Sequence, residues 1–420
     1  LIPECIILSE FKTLGLCHTL LSSISELGYQ TPTEVQTEAI PHALAGRDLL
    51  VGAQTGTGKT AAFALPIIQS LDQGTDERRL RALIVVPTRE LAQQVYESFH
   101  ELSSDTNLVT VAAYGGTSIR VQTSRLAKGC DILIATPGRL LDHLYCGNIT
   151  LKHLSTLVFD EADRMLDMGF LPDIKRILKR CKPERQTMFF SATFDKKIKN
   201  IAYEILSDPV EIQVSPSNST ATTVEQLVYP VDRKRKAELL AFLIGSRNWQ
   251  QVLVFTKTKQ GSDQLAKELA LDGIKAASIN GDKSQGARQK ALDDFKNGKV
   301  RALIATDVAA RGLDIEKLEQ VVNFDMPYKP EDYVHRIGRT GRAGQIGIAI
   351  SLMSPNEEDS LLAIERLIDT KLPQEWLKGF EPSLDTEMNN EKPPRKRGRN
   401  SEKQKMKARL KIHANRGKKN

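Results

Sequence analysis

The stretch at residues 53–60 constrains this chain most strongly. It reads Ala-Gln-Thr-Gly-Thr-Gly-Lys-Thr and lies between a short apolar run and a helical segment. Glycines in such a place let backbone N–H groups turn toward phosphate oxygens, and the helix N-terminus adds partial positive charge. We predict a phosphate-binding loop in which Lys59 neutralises the β- and γ-phosphates of a nucleotide and Thr60 ligates Mg²⁺. A flexible surface loop is the alternative, because Ala53 stands where the general pattern has glycine.

Composition limits the classes of protein that fit. The 420 residues suit two or three domains, and the 40% of hydrophobic residues support sizeable cores. No apolar run approaches the ~18 residues of a membrane helix. The five cysteines have no paired spacing, which argues against a disulfide framework or a zinc site. We therefore expect a cytoplasmic protein that does not associate with a membrane.

Positive charge is concentrated at the C-terminus. The net charge is +7, but residues 391–420 alone hold 13 Lys/Arg against 2 Glu. Such a segment is typical of chains that bind nucleic acid or another polyanion, and a merely solvated tail is the alternative. Because this part of the chain has few apolar residues, we predict a basic, disordered tail over residues 373–420.

Short runs rich in Val, Ile, Leu and Phe alternate with amphipathic helical stretches. This pattern predicts an α/β fold in which mostly parallel sheets are covered by helices on both faces. A stretch rich in Ser, Pro and Asn interrupts the alternation, which then restarts. We predict an N-terminal domain over 1–207, a linker over 208–223 and a second domain over 224–372. The predicted strands lie at 82–86, 132–135, 157–159, 188–190, 251–256, 275–279, 301–305, 320–324 and 347–352.

A second polar motif follows one of these strands. The apolar run at 156–159 leads directly into Asp160 and Glu161. Ligands of open parallel sheets bind at the carboxyl ends of the strands. We predict that Asp160 holds Mg²⁺ through water, opposite Thr60, and that Glu161 orients and deprotonates an attacking water. Capping of the following helix is the alternative for both acidic residues.

The sequence Asp160-Glu161-Ala162-Asp163 is also the motif that names the DEAD-box RNA helicases, and the chain resembles that family from Phe11 to Leu352. Residues 165–170 and 378–382 further resemble the bacterial RhlE-type branch. The resemblance implies two RecA-like domains that close on ATP and RNA together. The other matching motifs are at 28–29 with 32–36, 87–92, 115–116, 136–139, 191–193, 252–256, 285–288, 305–314 and 335–344.

The resemblance completes the predicted ATP site. Phe11 is expected to stack on adenine and Gln36 to read the adenine edge with its amide, whereas Tyr29 is expected to pack in the core. Arg339 and Arg342 resemble the arginine fingers of the family, which would reach the ATP on domain closure; a basic surface patch is the alternative. The expected nucleotide contacts are Phe11, Gln36, Thr55, Gly56, Thr57, Gly58, Lys59, Thr60 and Asp314.

The resemblance also implies RNA contacts on both domains. Aromatic residues make up only 5% of the chain, which disfavours recognition by base stacking and favours sequence-independent contacts with the RNA backbone. Arg288 could instead pair with Asp293 or Asp294 on its own helix. The expected contacts are Arg89, Gly115, Gly116, Thr136, Pro137, Gly138 and Arg139 in the first domain, and Thr256, Gln285, Arg288 and Thr306 in the second.

A further set is expected, from the resemblance, to couple the two sites. It comprises Asp163, Ser191, Thr193, Asp307, Arg311 and His335. The sequence thus predicts an ATP-dependent RNA helicase of ribosome assembly or RNA decay, with RNA, ribosomal precursors or RNA-decay proteins as partners. The alternatives are an RNA clamp that scarcely unwinds, which the intact Lys59, Glu161, Arg339 and Arg342 disfavour, and a DNA translocase. The oligomeric state is left open.

Overall fold

The computed structural model describes residues 10–53, 56–72, 78–194, 196–214, 224–310, 315, 318–341 and 347–383. Some predicted features lie outside these residues. They are Thr55, Arg311, Asp314, Arg342, most of the predicted linker and the predicted tail from residue 384 onward.

The first domain contains a seven-stranded sheet. Its strands are β1 (Leu49–Gly52), β2 (Ala82–Val85), β3 (Thr110–Ala113), β4 (Ile132–Ala135), β5 (Thr156–Phe159), β6 (Gln186–Ser191) and β7 (Val210–Gln213). They lie in the order β3-β4-β2-β5-β6-β1-β7, and every pairing is parallel. The central strands β1, β2, β4 and β5 are buried at every position, as expected for a parallel sheet that is covered on both faces.

Helices connect these strands. They are α1 (His18–Glu26), α2 (Glu34–Leu44), α3 (Lys59–Asp72), α4 (Arg89–Leu102), α5 (Ile119–Leu126), α6 (Pro137–Tyr145), α7 (Ala162–Asp167), α8 (Leu171–Leu178) and α9 (Lys196–Ile205).

The second domain contains a six-stranded parallel sheet in the order β10-β11-β9-β12-β13-β8. Its strands are β8 (Val224–Pro230), β9 (Val252–Thr256), β10 (Ala276–Ile279), β11 (Ala302–Thr306), β12 (Gln320–Asn323) and β13 (Gly347–Met353). The helices are α10 (Lys236–Ser246), α11 (Lys259–Leu271), α12 (Gln285–Lys296), α13 (Asp307–Ala310), α14 (Pro330–Ile337) and α15 (Glu358–Ile368), with 3₁₀ turns at Arg233–Arg235 and Pro355–Glu357.

Neighbouring side chains of each strand enter opposite core layers. In β1, Leu49 and Val51 pack in the layer that contains Phe63 of α3, whereas Leu50 packs with Phe159 and Phe189 in the other layer. This alternation places apolar cores on both faces of the sheet, where the helices cover them. The carboxyl ends of the strands remain available for a site.

The predicted fold class is confirmed, and each predicted strand overlaps an observed one. Two observations differ from the sequence interpretation. Strand β7 lies within the predicted linker span and pairs with β1 at the edge of the first sheet. The sequence of β7, Val-Glu-Ile-Gln, was not predicted as a strand. An edge strand alternates more buried with exposed side chains, so it lacks a continuous apolar run.

The second difference concerns residues 373–383, which were predicted to belong to the disordered tail. Here they form a strap, a segment that packs on the second domain. Val228 of β8 donates from its N–H to Pro373 O at 2.9 Å, and Glu375 donates from its N–H to Val228 O at 2.9 Å. Further along, the guanidinium of Arg235 lies 4.7 Å from the ring centroid of Phe380. In the described parts of the chain, no helix is long and apolar enough to cross a bilayer.

Candidate nucleotide and RNA site

The glycine loop lies between β1 and α3. Gly56 and Gly58 have φ values of +83° and +88°, which side chains rarely tolerate. Gln36 of α2 donates from Nε2 to Gly58 O at 3.2 Å, while its Oε1 accepts from the N–H of Thr33 at 3.0 Å. A Cβ on Gly58 would lie 2.5 Å from Gln36 Nε2, so only glycine permits this approach. The predicted adenine-reading amide is therefore tied directly to the phosphate loop.

Lys59 faces a cluster of three carboxylates. Its Nζ is buried and donates to Ala53 O at 2.8 Å. Asp160, Glu161 and Asp163 follow β5 and are also buried. Burial opposes ionisation of all three carboxyl groups, and the positive charge of Lys59 acts against it at each; the pKa values of Glu161 and Asp163 are lowered, whereas that of Asp160 is raised. The structure thus brings together the loop lysine and the acidic motif that the sequence placed about a hundred residues apart.

Asp160 has the environment of a cation ligand. Burial raises the pKa of its carboxyl group to about 6, although Lys59 acts in the opposite direction. Its Oδ1 accepts from the N–H of Glu161 at 2.9 Å. A nearby cation would stabilise this buried carboxylate, and the Asp160 and Thr60 side chains supply the oxygen ligands that Mg²⁺ prefers. The residues present therefore fit a Mg²⁺ site.

Glu161 is held in its anionic form. Burial opposes its charge, but Arg164, Lys59 and Arg339 together lower the pKa of the carboxyl group. Arg164 Nη1 lies 3.1 Å from Glu161 Oε2. The Glu161 backbone is left-handed, with φ 50° and ψ 51°, at the turn between β5 and α7. An anionic carboxylate at this turn can accept a proton from water.

Asp163 connects the acidic motif with β6. Its Oδ2 accepts from the N–H groups of Ala192 and Thr193, each at 3.1 Å, and from Thr193 Oγ1 at 3.2 Å. Ser191 Oγ donates to Thr193 O at 2.7 Å. The predicted coupling residues of the first domain therefore form one hydrogen-bonded unit.

The second domain contributes positive charge to the same cluster. Arg339, directly after α14, lowers the pKa of Glu161, and His335 of α14 lowers the pKa of Asp163. Arg339 is buried and His335 half-buried. The structure therefore places groups of both domains at a shared site.

Arg336 is a residue that the sequence interpretation missed. It is fully buried, and its guanidinium pairs with Asp307 through Nε to Oδ1 at 2.6 Å and Nη2 to Oδ2 at 2.8 Å. Nη1 also donates to Asn323 Oδ1 and Asp325 O. Asp307, predicted to lie at the closure interface, thus holds α14, which carries His335 and leads to Arg339. The available signal was its position in the arginine-rich motif at 335–344, in which roles were predicted only for His335, Arg339 and Arg342.

The predicted RNA residues of the first domain lie together. Thr136 precedes α6, Pro137 occupies its first turn, and a Cβ built on Gly138 would meet no described atom within 4 Å beyond its chain neighbours and the backbone of its own helix. The guanidinium of Arg89 lies against Gly115 and Gly116; a Cβ on Gly116 would lie 1.8 Å from Arg89 Nη1. The glycine pair therefore permits a close approach between α4 and this loop.

The predicted RNA residues of the second domain contact the first domain through Glu90. Arg288 Nη2 lies 2.9 Å from Glu90 Oε1, and Gln285 Nε2 donates to the same oxygen at 3.2 Å. The alternative that Arg288 pairs with Asp293 or Asp294 is wrong, since its carboxylate partner lies on the other domain. Thr256 and Thr306 are buried at the ends of β9 and β11.

A cavity of about 440 Å³ separates the two groups of residues. Its lining includes Arg89, Gly115 and Gly138 of the first domain and Arg288 and Lys283 of the second. Lys283, which the sequence interpretation missed, lies in the turn before α12 and pairs with Asp263 at 3.1 Å. A lysine two residues before Gln285 was the available signal.

Phe11 lies away from any open surface. It is 1% exposed in the core of the first domain, and its ring meets Tyr29 edge-on with centroids 6.4 Å apart. Adenine stacking by Phe11 stays a prediction.

Comparison with known proteins agrees with this architecture. Residues 33–201 match the family model described as DEAD/DEAH box helicase, and residues 235–344 match the helicase conserved C-terminal domain. The described fold is similar to that of S. cerevisiae Dbp5 bound to RNA and ADP BeF3, with a TM-score of 0.79 and 29% sequence identity over 87% of this chain and 95% of that one.

Curated relatives cover most of the chain. The ATP-dependent RNA helicase CshA of Limosilactobacillus reuteri is 43% identical over 86% of this chain and 73% of its own length. The DEAD-box ATP-dependent RNA helicase RhpA of Helicobacter pylori (strain ATCC 700392 / 26695) is 42% identical over the same shares. This protein therefore belongs to the DEAD-box family of ATP-dependent RNA helicases.

Proposed function

We propose that the cleft between the two domains binds ATP and single-stranded RNA together and that hydrolysis requires its closure. One observation carries this proposal: the two domains meet at the cleft, where Arg288 of the second lies 2.9 Å from Glu90 of the first and the charge of Arg339 lowers the pKa of Glu161. A catalytic set divided in this way is complete only while the domains are together. ATP turnover would consequently depend on whatever favours closure.

Each group of the nucleotide site has a proposed role. Lys59 and the loop of Thr55, Gly56, Thr57 and Gly58 bind the phosphates, while Gln36 and Asp314 bind adenine and ribose. Stacking of Phe11 on adenine would require its ring to leave the buried position that it has here. Asp160 and Thr60 would hold Mg²⁺, which neutralises phosphate charge. Glu161 accepts a proton from the attacking water, and Arg339 and Arg342 stabilise the charge that develops on the transferred phosphoryl group.

The RNA backbone would occupy the cavity lined by Arg89, Gly115, Gly138, Lys283 and Arg288. Glycine and threonine backbone N–H groups and these cations suit phosphate oxygens, so binding would be independent of sequence. Contacts with 2′-hydroxyl groups would distinguish RNA from DNA. The similarity to Dbp5 in an RNA-bound state supports this placement.

Coupling would pass through the hydrogen bonds of Asp163 with Ser191 and Thr193, and through His335, Asp307 and Arg311. On closure, one strand of a short duplex is bent away from its partner. Hydrolysis and phosphate release then reopen the cleft and free the strand.

We further propose that this protein is a member of the RhlE-type branch and that it acts in the cytoplasm, in ribosome assembly or RNA decay. The support is the resemblance of residues 165–170 and 378–382 to that branch and the basic segment at 391–420. We also propose a first domain over residues 1–207, a linker over 208–223, a second domain over 224–372 and a tail over 373–420. Strand β7 then adds to the first domain, and the strap adds to the second.

The test is ATP hydrolysis by the full chain, with and without single-stranded RNA, for the wild type and Glu161→Gln. We expect strong stimulation by RNA in the wild type and its loss in the variant, because an amide cannot accept the proton. Glu184→Gln is a matched control, since Glu184 lies in an exposed turn after α8.

The proposal would be overturned by a rate of ATP hydrolysis that RNA does not change, or by an unchanged rate in Glu161→Gln. RNA-stimulated hydrolysis without strand separation would instead favour the RNA clamp. Equal stimulation by single-stranded DNA would favour the DNA translocase.

The basic segment has its own expected effect. It would tether RNA, so deleting residues 391–420 should flatten the salt dependence of RNA binding, with the log–log slope falling by ~0.7 for each phosphate that the segment neutralises in the intact chain. RNA titrations by fluorescence anisotropy at several salt concentrations measure the slope. An unchanged slope would contradict the tether.

A further inference from the structure

The loop at residues 114–117, which carries Gly115 and Gly116, has few contacts of its own: Thr117 Oγ1 donates to Tyr114 O at 3.2 Å, and Tyr114 OH donates to Gln93 Oε1 at 2.6 Å. Gly116 has a φ of +78°, and the two glycines have no side chains with which to anchor the loop. Its conformation therefore depends on groups from neighbouring elements. Two of these are Gln122 of α5 and Arg139 of α6.

Gln122 binds both ends of this loop. Its side chain is buried, and its Nε2 donates to Tyr114 O at 2.9 Å and to Thr117 Oγ1 at 2.7 Å. An amide nitrogen carries two hydrogens, so these bonds use its whole donor capacity. The loop is thereby fixed on α5.

The oxygen of the same amide binds α6. Gln122 Oε1 accepts from Arg139 Nη1 at 2.8 Å and from His143 Nε2 at 3.1 Å. Arg139 in turn donates to Thr117 O from Nη1 and Nη2, at 3.2 and 3.3 Å. One side-chain amide therefore joins the glycine loop to the first turn of α6, the two parts of the first domain that are proposed to contact RNA.

The orientation of this amide determines the tautomer of His143, which in turn supports the amide through Oε1. Gln122 Nε2 faces a carbonyl and Oε1 faces a guanidinium, so the amide cannot be reversed, and His143 Nε2 must donate. His143 Nδ1 then accepts from Asn148 Nδ2 at 3.0 Å. The ring is fully buried, and burial together with Arg139 lowers its pKa, which keeps it neutral.

We propose that Gln122 is a positioning residue for RNA binding, with His143 as its support. The amide holds the glycine loop and Arg139 in a fixed spacing, so that their backbone N–H groups meet consecutive phosphates of a single strand without rearrangement. A preformed site binds more tightly because less conformational freedom is lost on binding. This inference rests on the proposed RNA cavity.

The main test compares Gln122→Leu with the wild type. Leucine has a similar size but forms none of the four hydrogen bonds. We expect the RNA concentration for half-maximal ATPase stimulation to rise about tenfold. The rate at saturating RNA and the affinity for a fluorescent ATP analogue without RNA should stay within about twofold, since closure can still be driven by excess RNA.

Gln186→Leu is the matched control. Gln186 also donates two hydrogen bonds to backbone carbonyls, Ala43 O at 2.8 Å and Arg47 O at 2.9 Å, but at the amino end of β6, away from the cleft. We expect a comparable fall in melting temperature for both variants and a change in RNA affinity only for Gln122→Leu. Equal RNA affinities in the two variants would overturn the positioning role.

Two substitutions of His143 separate positioning from packing. Glutamine places its amide nitrogen near the position of Nε2 and can still donate to Gln122, whereas asparagine reaches only the position of Nδ1. We expect His143→Gln to retain RNA affinity and His143→Asn to lose it. The same affinity in both would contradict a role through Gln122.

Failure of the inference is distinguishable from failure of the proposed RNA cavity. If Arg89→Ala weakens RNA binding and Gln122→Leu does not, the cavity stands and the positioning role falls. If neither weakens it, the cavity itself is misplaced. Should Gln122→Leu fail to fold, Gln122→Glu replaces it, because a carboxylate still accepts from Arg139 and His143 but cannot donate to the loop; normal RNA affinity in that variant would overturn the inference.

Discussion

At the scale of single residues, Glu161 combines two features that oppose folding. It is a buried carboxylate, and it adopts a left-handed backbone conformation that costs about 1–2 kcal/mol for a residue with a side chain. Arg164, at 3.1 Å, offsets part of the cost of the buried charge. Local strain of this kind persists where surrounding structure enforces it, which is common at functional sites.

Arg339 gives the clearest single-residue prediction. Its charge acts on Glu161 from the other domain, so Arg339→Ala should lower RNA-stimulated ATP hydrolysis by about 10³-fold or more, the range seen for arginine fingers. Binding of a fluorescent ATP analogue to the RNA-free protein should change little, since Arg339 is proposed to stabilise the transition state of hydrolysis and not the bound nucleotide. Steady-state ATPase assays and nucleotide titrations measure the two effects.

Arg180→Ala serves as the control for this variant. The Arg180 guanidinium lies 4.7 Å from the Tyr145 ring centroid on the surface of the first domain, away from the cluster. Its hydrolysis should match the wild type. Intact hydrolysis in Arg339→Ala would mean that the second domain does not complete the catalytic set.

At the scale of elements, the turn between β13 and α15 joins several parts of the second domain. Glu357 in this turn pairs with Lys236 of α10 and with Lys257 Nζ at 3.0 Å. It also accepts from the N–H groups of Met326 and Ser354. Burial opposes its charge, but Lys236 and Lys257 lower the pKa of the carboxyl group to about 2.

This lowered pKa predicts acid sensitivity. The carboxyl group titrates near pH 4.3 in the unfolded chain, so its contribution to stability is complete above that pH and is lost as the pH falls toward 2. Glu357→Gln should reduce the free energy of unfolding by about 3 kcal/mol at pH 7. Denaturant titrations at pH 7, 5 and 3 should show the difference from the wild type shrinking to less than half at pH 3.

The neighbouring exposed Glu358 supplies the control. Glu358→Gln should change stability by less than about 0.5 kcal/mol at each pH, as is usual for surface substitutions. A Glu357→Gln deficit that stays constant from pH 7 to pH 3 would contradict the ionised cluster.

Elements differed in how far the sequence predicted them. Buried parallel strands such as β2 and β9 are continuous apolar runs, so composition alone located them. The edge strand β7 lacks such a run and was missed. The strap depends on contacts with distant residues, among them the hydrogen bonds with Val228 and the packing of Phe380 beside Phe242 with ring centroids 5.6 Å apart, which no local pattern encodes.

The residues of the candidate site also fall into two groups, those that a local sequence pattern predicted and those that it did not. Lys59 and Asp160 were predicted because glycine loops and strand-end carboxylates are local patterns. Gln122, Glu90 and Arg336 act through partners distant in sequence, and a polar residue on a helix gives no local sign of which partner it will meet. Their roles became visible only in the folded chain.

At the scale of the whole molecule, two of the ion pairs between described residues of the two domains differ in character. Glu90 and Arg288 are both largely buried, with side chains 9% and 12% exposed, whereas Lys329 and Asp167 are about half exposed. Removing one partner of a buried pair leaves an uncompensated charge, while an exposed charge is solvated again. The buried pair should therefore dominate the stability of the closed arrangement.

Glu90→Ala tests this expectation. With fluorescent labels on the two domains, the RNA concentration for half-maximal closure in the presence of a non-hydrolysable ATP analogue should rise at least about tenfold. Asp167→Ala should shift it by less than about fivefold. Equal shifts in the two variants would mean that burial of the Glu90 pair does not control closure.

The strap at residues 373–383 affects whether copies of this chain associate with one another. Strand β8 is the outermost strand of its sheet, and open strand edges are templates for pairing with another chain. The strap occupies the N–H and C=O of Val228 at that edge. A protein shortened to residue 372 would expose them and tend to aggregate through β-pairing, whereas one shortened to residue 383 would stay monodisperse in light scattering. The strap thus protects the sheet against self-association.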